Sequence, residues 1–221
     1  MTSRSYYMLI TSLPALPPHF EVDRNPVPWD RFKDRLAMLH EGDAALIDRL
    51  VDFFDWDRQP LDRTDADVVA HYKRLLPTVD NRLIRQIIDD RMEVRTIVSG
   101  LRLRKADQPP PVGLDPWATD IKRQWKHPDF RLQLRHPWVT RFRELLDAGD
   151  ILEADRLQLS VSWTYWSRLA ARYHFSFEAV ILYLARWEII DRWTSRDAQR
   201  GRERFEQLIA ETLGDHGKLI H

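Results

Sequence analysis

Residues 177–194 read FEAVILYLARWEIIDRWT, the most strongly apolar helical pattern in the chain. An α-helix turns once in about 3.6 residues, so positions alternately three and four apart share a face. One such seam runs Phe177, Ile181, Leu184, Glu188 and Asp191, and a second runs Val180, Tyr183, Trp187 and Ile190. A helix apolar on two faces is predicted to be covered by neighbours on both. Glu188 falls in line with Ile181 and Leu184. A carboxylate at such a place has to be partnered, solvated at an edge, or protonated.

The composition around this stretch favours helices throughout. The 221 residues suffice for one large domain or two small ones, and 43% hydrophobic content with nine Trp supports a real core. Seven Gly against 31% charged residues argue for an all-α fold over a sandwich or barrel. The formal net charge is zero, so a strong global pull towards nucleic acid or anionic lipid is not expected. Without Cys there are no disulfides or thiolate metal sites, which fits a reducing cytoplasm. The longest stretch free of Asp, Glu, Lys and Arg is Ser5 to Phe20. It is broken by Pro14, Pro17 and Pro18 and falls short of the roughly 18 residues a membrane span needs. A signal peptide starting at Arg4 is disfavoured, because the apolar part is short and opens on two tyrosines.

Taken in order, residues 4–13 are read as a short helix, and five prolines between Pro14 and Pro28 as an extended, ordered loop. Pro28 suits a helix start, followed by Trp29, Phe32, Leu36 and Leu39 at helical spacing, with Gly42 as the stop. Asp43 is placed to cap the next helix, which shows Leu46, Ile47, Leu50, Val51 and Phe54. Thr64 with Asp67 resembles a capping box opening a helix that ends before Pro77. Asp80 is placed to cap a long helix to about Lys105, with the seam Leu83, Ile87, Asp90, Val94, Ile97, Leu101. Asp90 again sets an acid in an apolar seam, with Arg91, Glu93 and Arg95 around it.

ADQPPPVGLDP, residues 106–116, reads as a stiff linker between a lobe at 1–105 and a lobe at 117–221. Short helices broken before Pro128 and Pro137 follow it, then a helix at 138–148 stopped by Gly149. Asp150 caps a helix at 151–172, Ser176 caps the apolar helix, and a last helix occupies about 197–213. The segments DDRMEVRTIVSG and LARWEIIDRWTS share an outline, each an acid in a seam with arginine close by.

Few residues suggest chemistry. Asp90 and Glu188 could serve as an acid/base pair in a helical hydrolase, but structural or interface ion pairing with a nearby Arg is the favoured reading of each. Neither HExxH, GxSxG, a Walker loop nor GxGxxG occurs, so no catalytic residue, cofactor or metal is expected. Asp67 and His71 lie one helical turn apart, a common surface pairing. His127 and His136, each followed by Pro, are expected to cap or pack. Segment 117–143 has seven Lys/Arg against two Asp/Glu, interleaved with three Trp and two Phe. That mixture suits single-stranded nucleic acid, although spacing favours the aromatics facing inward and the cations outward. Lys122, Arg123, Trp125, Lys126, Arg131 and Arg135 are its candidate partner contacts. Residues 41–67, with nine acids against three arginines, have the opposite charge.

The opening YYMLITSLP (Tyr6 to Pro14), with DDRMEVRTI (Asp89 to Ile97) and ARWEIIDRW (Ala185 to Trp193), resembles an uncharacterised bacterial family associated with V/A-type ATPase operons. That family is similar in turn to the C subunit of A-type and the d subunit of V-type ATPases. The resemblance implies a two-lobed, all-α, non-catalytic subunit between the rotor shaft and the membrane ring, coupling ATP turnover to proton or sodium-ion movement. It implies partners among shaft and ring subunits, and a cytoplasmic place peripheral to the inner membrane through them. The C and d subunits typically have three helical lobes, and this chain has length for about two. On this reading Asp90, Arg91, Glu93, Arg95, Glu188, Asp191 and Arg192 form architectural or interface ion pairs. The alternative is a helical nucleic-acid-binding module using 117–143.

Overall fold

The structure, a computed structural model, describes residues 5–54 and 64–216, with side-chain surroundings up to residue 196. Among the described residues the fold is all-α. The helices are α1 (Tyr7–Ser12), α2 (Trp29–Leu36), α3 (Glu41–Phe54), α4 (Asp65–Leu75), α5 (Arg82–Lys105), α6 (Trp117–Arg123), α7 (Trp138–Ala148), α8 (Ile151–Ala170) and α9 (Phe177–His216). The chain forms two compact units, one of residues 37–162 and one of residues 1–36 with 163–221.

Local chemistry explains most helix ends. The Thr64 hydroxyl accepts from the Asp67 amide and the Asp67 carboxylate accepts from the Thr64 amide, so the capping box is complete. Asn81, rather than Asp80, caps α5, its side-chain oxygen accepting from the Leu83 and Ile84 amides. Gly149 ends α7 at φ 76°, where a residue with a Cβ would be strained. The Asp150 carboxylate accepts from the Glu153 amide at the start of α8. Gly42 is not a stop. It lies in the first turn of α3, while α2 closes at Leu36. Ser176 starts α9 through its backbone carbonyl, which accepts from Ala179 and Val180, and its hydroxyl is not the cap. The expected helices at 177–194 and 197–213 are one continuous element of 40 residues. Its glycines are Gly201 and Gly214, and an interior Gly costs roughly 1 kcal/mol, too little to break a long helix.

In the unit of residues 37–162, α5 is central, with eleven of its residues buried. Along one side Tyr72 of α4 donates to Asp89 and Asp65 receives Arg95, so α4 runs antiparallel to α5. On the other side Ile97, Val98 and Leu101 join Ile121, Phe130, Val139, Phe142, Leu145 and Leu146 in one apolar cluster. The chain division therefore does not follow the Pro-rich segment, since helices on either side of 106–116 share this core. That segment folds back on α5. Leu114 is buried, and a Cβ on Gly113 would stand 2.6 Å from Thr96 Cγ2. Three prolines look like a spacer in the sequence; the close approach that makes them a packed return is visible only in three dimensions.

In the other unit the spine is α9. Val180, Tyr183, Trp187 and Ile190 are all buried, as the second seam requires. The N-terminal segment straps this helix. Tyr6 donates its amide to the Phe175 carbonyl, and Ser5 bridges Ser176. Tyr183 donates its hydroxyl to the Pro14 carbonyl (2.9 Å), Trp163 its indole N–H to Pro18 (3.2 Å), and Trp187 to Val27 (2.7 Å). A Pro-rich loop cannot satisfy its carbonyls by regular structure, so the polar tips of buried Tyr and Trp do so. Trp29 and Phe32 of α2 complete the cover, with ring centroids 5.3 Å from Trp187 and 5.3 Å from Tyr183.

Candidate functional site: the seam acids and the basic segment

The buried acid of α5 is Glu93, not Asp90. Glu93 is 6% exposed, whereas Asp90 is half-buried. The Glu93 carboxylate sits 2.8 Å from the Arg135 guanidinium and 3.0 Å from His136 Nε2. His136 also packs edge-on against Trp138, with centroids 6.0 Å apart. A buried carboxylate is tolerated when cations and hydrogen bonds replace its water, and here the residues flanking a His-Pro step provide both. The sequence placed Glu93 beside the seam and His136 in a broken helix, but their pairing spans 43 positions and leaves no local pattern.

The remaining predicted ion-pairing residues are distributed. Arg95 binds Asp65 at 2.7 Å, and the Ser99 hydroxyl donates to the other Asp65 oxygen. Arg91 lies over the Phe54 ring at 4.0 Å, a cation–π contact. Asp90, Glu188 and Arg192 each take part in a further interaction. Asp191 accepts from the Asn25 side chain at 3.3 Å. Burial holds its carboxyl above the ordinary aspartate value, Asn25 offsets part of that, and the charge of Glu188 adds to the rise. Asp191 is thus held by an amide and not by an arginine. Nearby, burial pushes the Tyr183 phenol up to about 12 and the Arg186 guanidinium down. Burial and the bond to Asp89 also raise Tyr72. Asp90 belongs to the unit of residues 37–162 and Glu188 to the other.

His71 lies 3.8 Å from Asp52 and edge-on to Phe53, while Asp67 serves the capping box. Among the described residues, no three His, Cys, Asp or Glu are grouped as a metal ion requires. No described helix is long and apolar enough to cross a membrane.

The basic segment divides as its spacing predicts. Phe130 and Phe142 are buried, Trp125 stacks on Phe130 with centroids 5.4 Å apart, and Trp138 meets Phe142 edge-on. Lys122, Arg123, Lys126, Arg131 and Arg135 are exposed. Arg123 pairs with Asp120 at 3.5 Å, and Arg104 reaches in from α5 to the carbonyls of Lys126 and His127.

A family model described as a protein of unknown function, DUF2764, matches residues 61–215. The chain belongs to this family. The DUF2764 match takes in both spines, the Glu93 cluster and the whole basic segment, and leaves the strap at 5–28 outside. No curated protein and no solved structure matches the chain.

Proposed function

We propose that this DUF2764 protein is a non-catalytic helical subunit of the C/d kind in a V/A-type rotary ATPase. In that role it connects rotor shaft to membrane ring during ATP-coupled proton or sodium-ion transport, held at the inner membrane by its partners. The observation that carries the reading is the position of its two acid–Arg helices. Each is the buried spine of a helical unit: Glu93 on one is bound by Arg135 and His136, and Asp191 on the other by Asn25. Such acids stiffen a scaffold, and a connector that transmits torque needs stiffness and charged rims more than a reactive group. The resemblance at Tyr6 to Pro14 agrees, since that segment is built into the α9 unit as its strap. Among the aromatic neighbours of the seven exposed or half-exposed cations of 117–143, Phe130 and Phe142 are buried and the half-buried Trp125 and Trp138 pack against the same core, which favours a protein partner over stacked bases.

The test is a pull-down of the tagged protein from its own cells in gentle detergent. Recovery of rotary ATPase shaft and ring subunits is the expected result. Their absence, with the bait itself intact and abundant, would refute the proposal.

A further inference from the structure

Where α1 meets the turn between α8 and α9, the α9 unit holds a small apolar surface out in water. Of the eight large apolar side chains exposed among the described residues, three stand here: Met8 at 74%, Tyr7 at 56% and Phe175 at 42%. Tyr7 and Phe175 come from distant parts of the chain, yet their ring centroids are 4.7 Å apart. Met8 follows Tyr7 in α1. The surface is fixed from behind. The Tyr6 amide donates to the Phe175 carbonyl, Ser5 bridges Ser176, and the buried rings of Tyr6 and Phe177 lie 6.2 Å from each other. Phe175 itself holds φ at 29°, a left-handed conformation that costs a residue with a bulky side chain. Glycine or asparagine would make the same turn at less cost, so the turn does not call for an aromatic.

The charge around this surface has one sign. Residues 5–20 and 163–177 contain no Asp or Glu, while Arg168, Arg172 and His174 are all exposed. Among the described residues neither Arg168 nor Arg172 forms an ion pair. The next acid along the chain, Glu178, is half-buried and takes part in an interaction of its own. Arg172 is three residues from Phe175, within about 10 Å along the chain. Attraction of these cations to an anionic surface acts over a Debye length of roughly 8–10 Å, so it does not require them to share a face with the rings.

We infer that Tyr7, Met8 and Phe175 enter the interfacial layer of an anionic bilayer, with Arg168 and Arg172 drawing the protein to its surface. Size and charge favour lipid over a protein occupant. A stable protein–protein interface takes about 20–30 residues from each side, whereas a lipid surface rewards a few apolar side chains as soon as cations hold them against it. Aromatic side chains suit the headgroup level, where an apolar ring is buried and a phenol stays wet. The occupant is lipid and not a shaft or ring subunit, so the inference stands apart from the connector role proposed above.

The probe is sucrose-loaded vesicles of phosphatidylglycerol and phosphatidylcholine in equal parts, sedimented with the purified full chain. Vesicles of phosphatidylcholine alone are the control. The chain is expected to sediment with the mixed vesicles, far less with the control, and less as salt rises. Met8→Ser should weaken partition about fivefold, as withdrawal of apolar area does. Arg168→Glu with Arg172→Glu should weaken it about tenfold on the mixed vesicles and flatten the salt dependence. Phe175→Asn, which suits the left-handed turn, should weaken partition about threefold while the thermal midpoint holds or rises. Absence of sedimentation with the mixed vesicles at low salt, or sedimentation indifferent to all of these substitutions, would overturn the inference. Binding to washed native membranes with none to vesicles of the lipid extracted from them would overturn it too, since a protein receptor gives that result. The vesicles hold no ATPase subunit, so failure here is distinct from failure of the connector role.

Discussion

Glu93 and its partners differ in their access to water, and that asymmetry decides which substitutions the site tolerates. Glu93 is buried, while the Arg135 side chain is 55% exposed and can return to solvent. Replacing a whole buried ion pair by apolar side chains is often near neutral, whereas removing one partner is costly when the charge it leaves stays buried. Glu93→Leu should therefore change stability by no more than about 1–2 kcal/mol, and the double variant Arg135→Ala, His136→Ala should cost about 3–5 kcal/mol. Urea unfolding at neutral pH measures both. Asp191 gives a pH signature. Its folded value lies above the unfolded one, so the folded state holds the proton longer and stability declines as pH rises between the two. Asp191→Asn keeps the bond from Asn25 and removes that decline. Its thermal midpoint should exceed that of the unaltered protein at pH 7 and coincide with it at acid pH, where both side chains are neutral. Equal midpoints across the range would show that Asp191 carries no such cost. At this scale legibility followed distance along the chain. Thr64 and Asp67, three apart, were paired from the sequence alone, whereas Glu93 and His136 were not, because nothing within a few residues of either signals the other.

At the scale of elements, α9 was recognisable from its two apolar seams, and the buried one is Val180, Tyr183, Trp187, Ile190. The seam containing Glu188 and Asp191 leaves the core progressively, with Leu184, Glu188 and Asp191 half-buried. The Pro-rich part of the strap, 14–28, is the extended, ordered loop its prolines predict, and its carbonyls are the acceptors for the buried Tyr and Trp tips. Tyr183→Phe should cost about 1 kcal/mol, and Trp187→Phe more, because a smaller ring also leaves a cavity in a packed core. Amide exchange near the start of α9 should quicken in Tyr183→Phe. Unchanged exchange and stability would show that the strap does not hold the helix. The Pro-rich segment 106–116 has the composition of a linker, and composition does not report that Gly113 approaches α5 at Thr96.

At the scale of the molecule, the all-α class followed from few glycines, many charges and helical periodicity. The grouping did not, because segments from both ends of the chain combine in one unit. Periodicity shows that α2 and α9 each need cover and is silent on their covering one another. A fragment of residues 37–162 holds its own core around α5 and should fold alone, with cooperative thermal unfolding. A fragment of residues 1–105 should not, since its strap lacks α9 and its α5 lacks α6 and α7. Circular dichroism melts of the two fragments check this directly. The central claim concerns the whole protein as a coupling subunit that performs no chemistry. It is tested most directly in membrane vesicles from cells with the gene deleted, by following ATP hydrolysis and ATP-driven ion uptake together. The account predicts that hydrolysis by the soluble part of the rotary ATPase persists while ion uptake is lost, and that both recover when the protein is restored. Ion uptake at the normal rate in the deletion vesicles would contradict it.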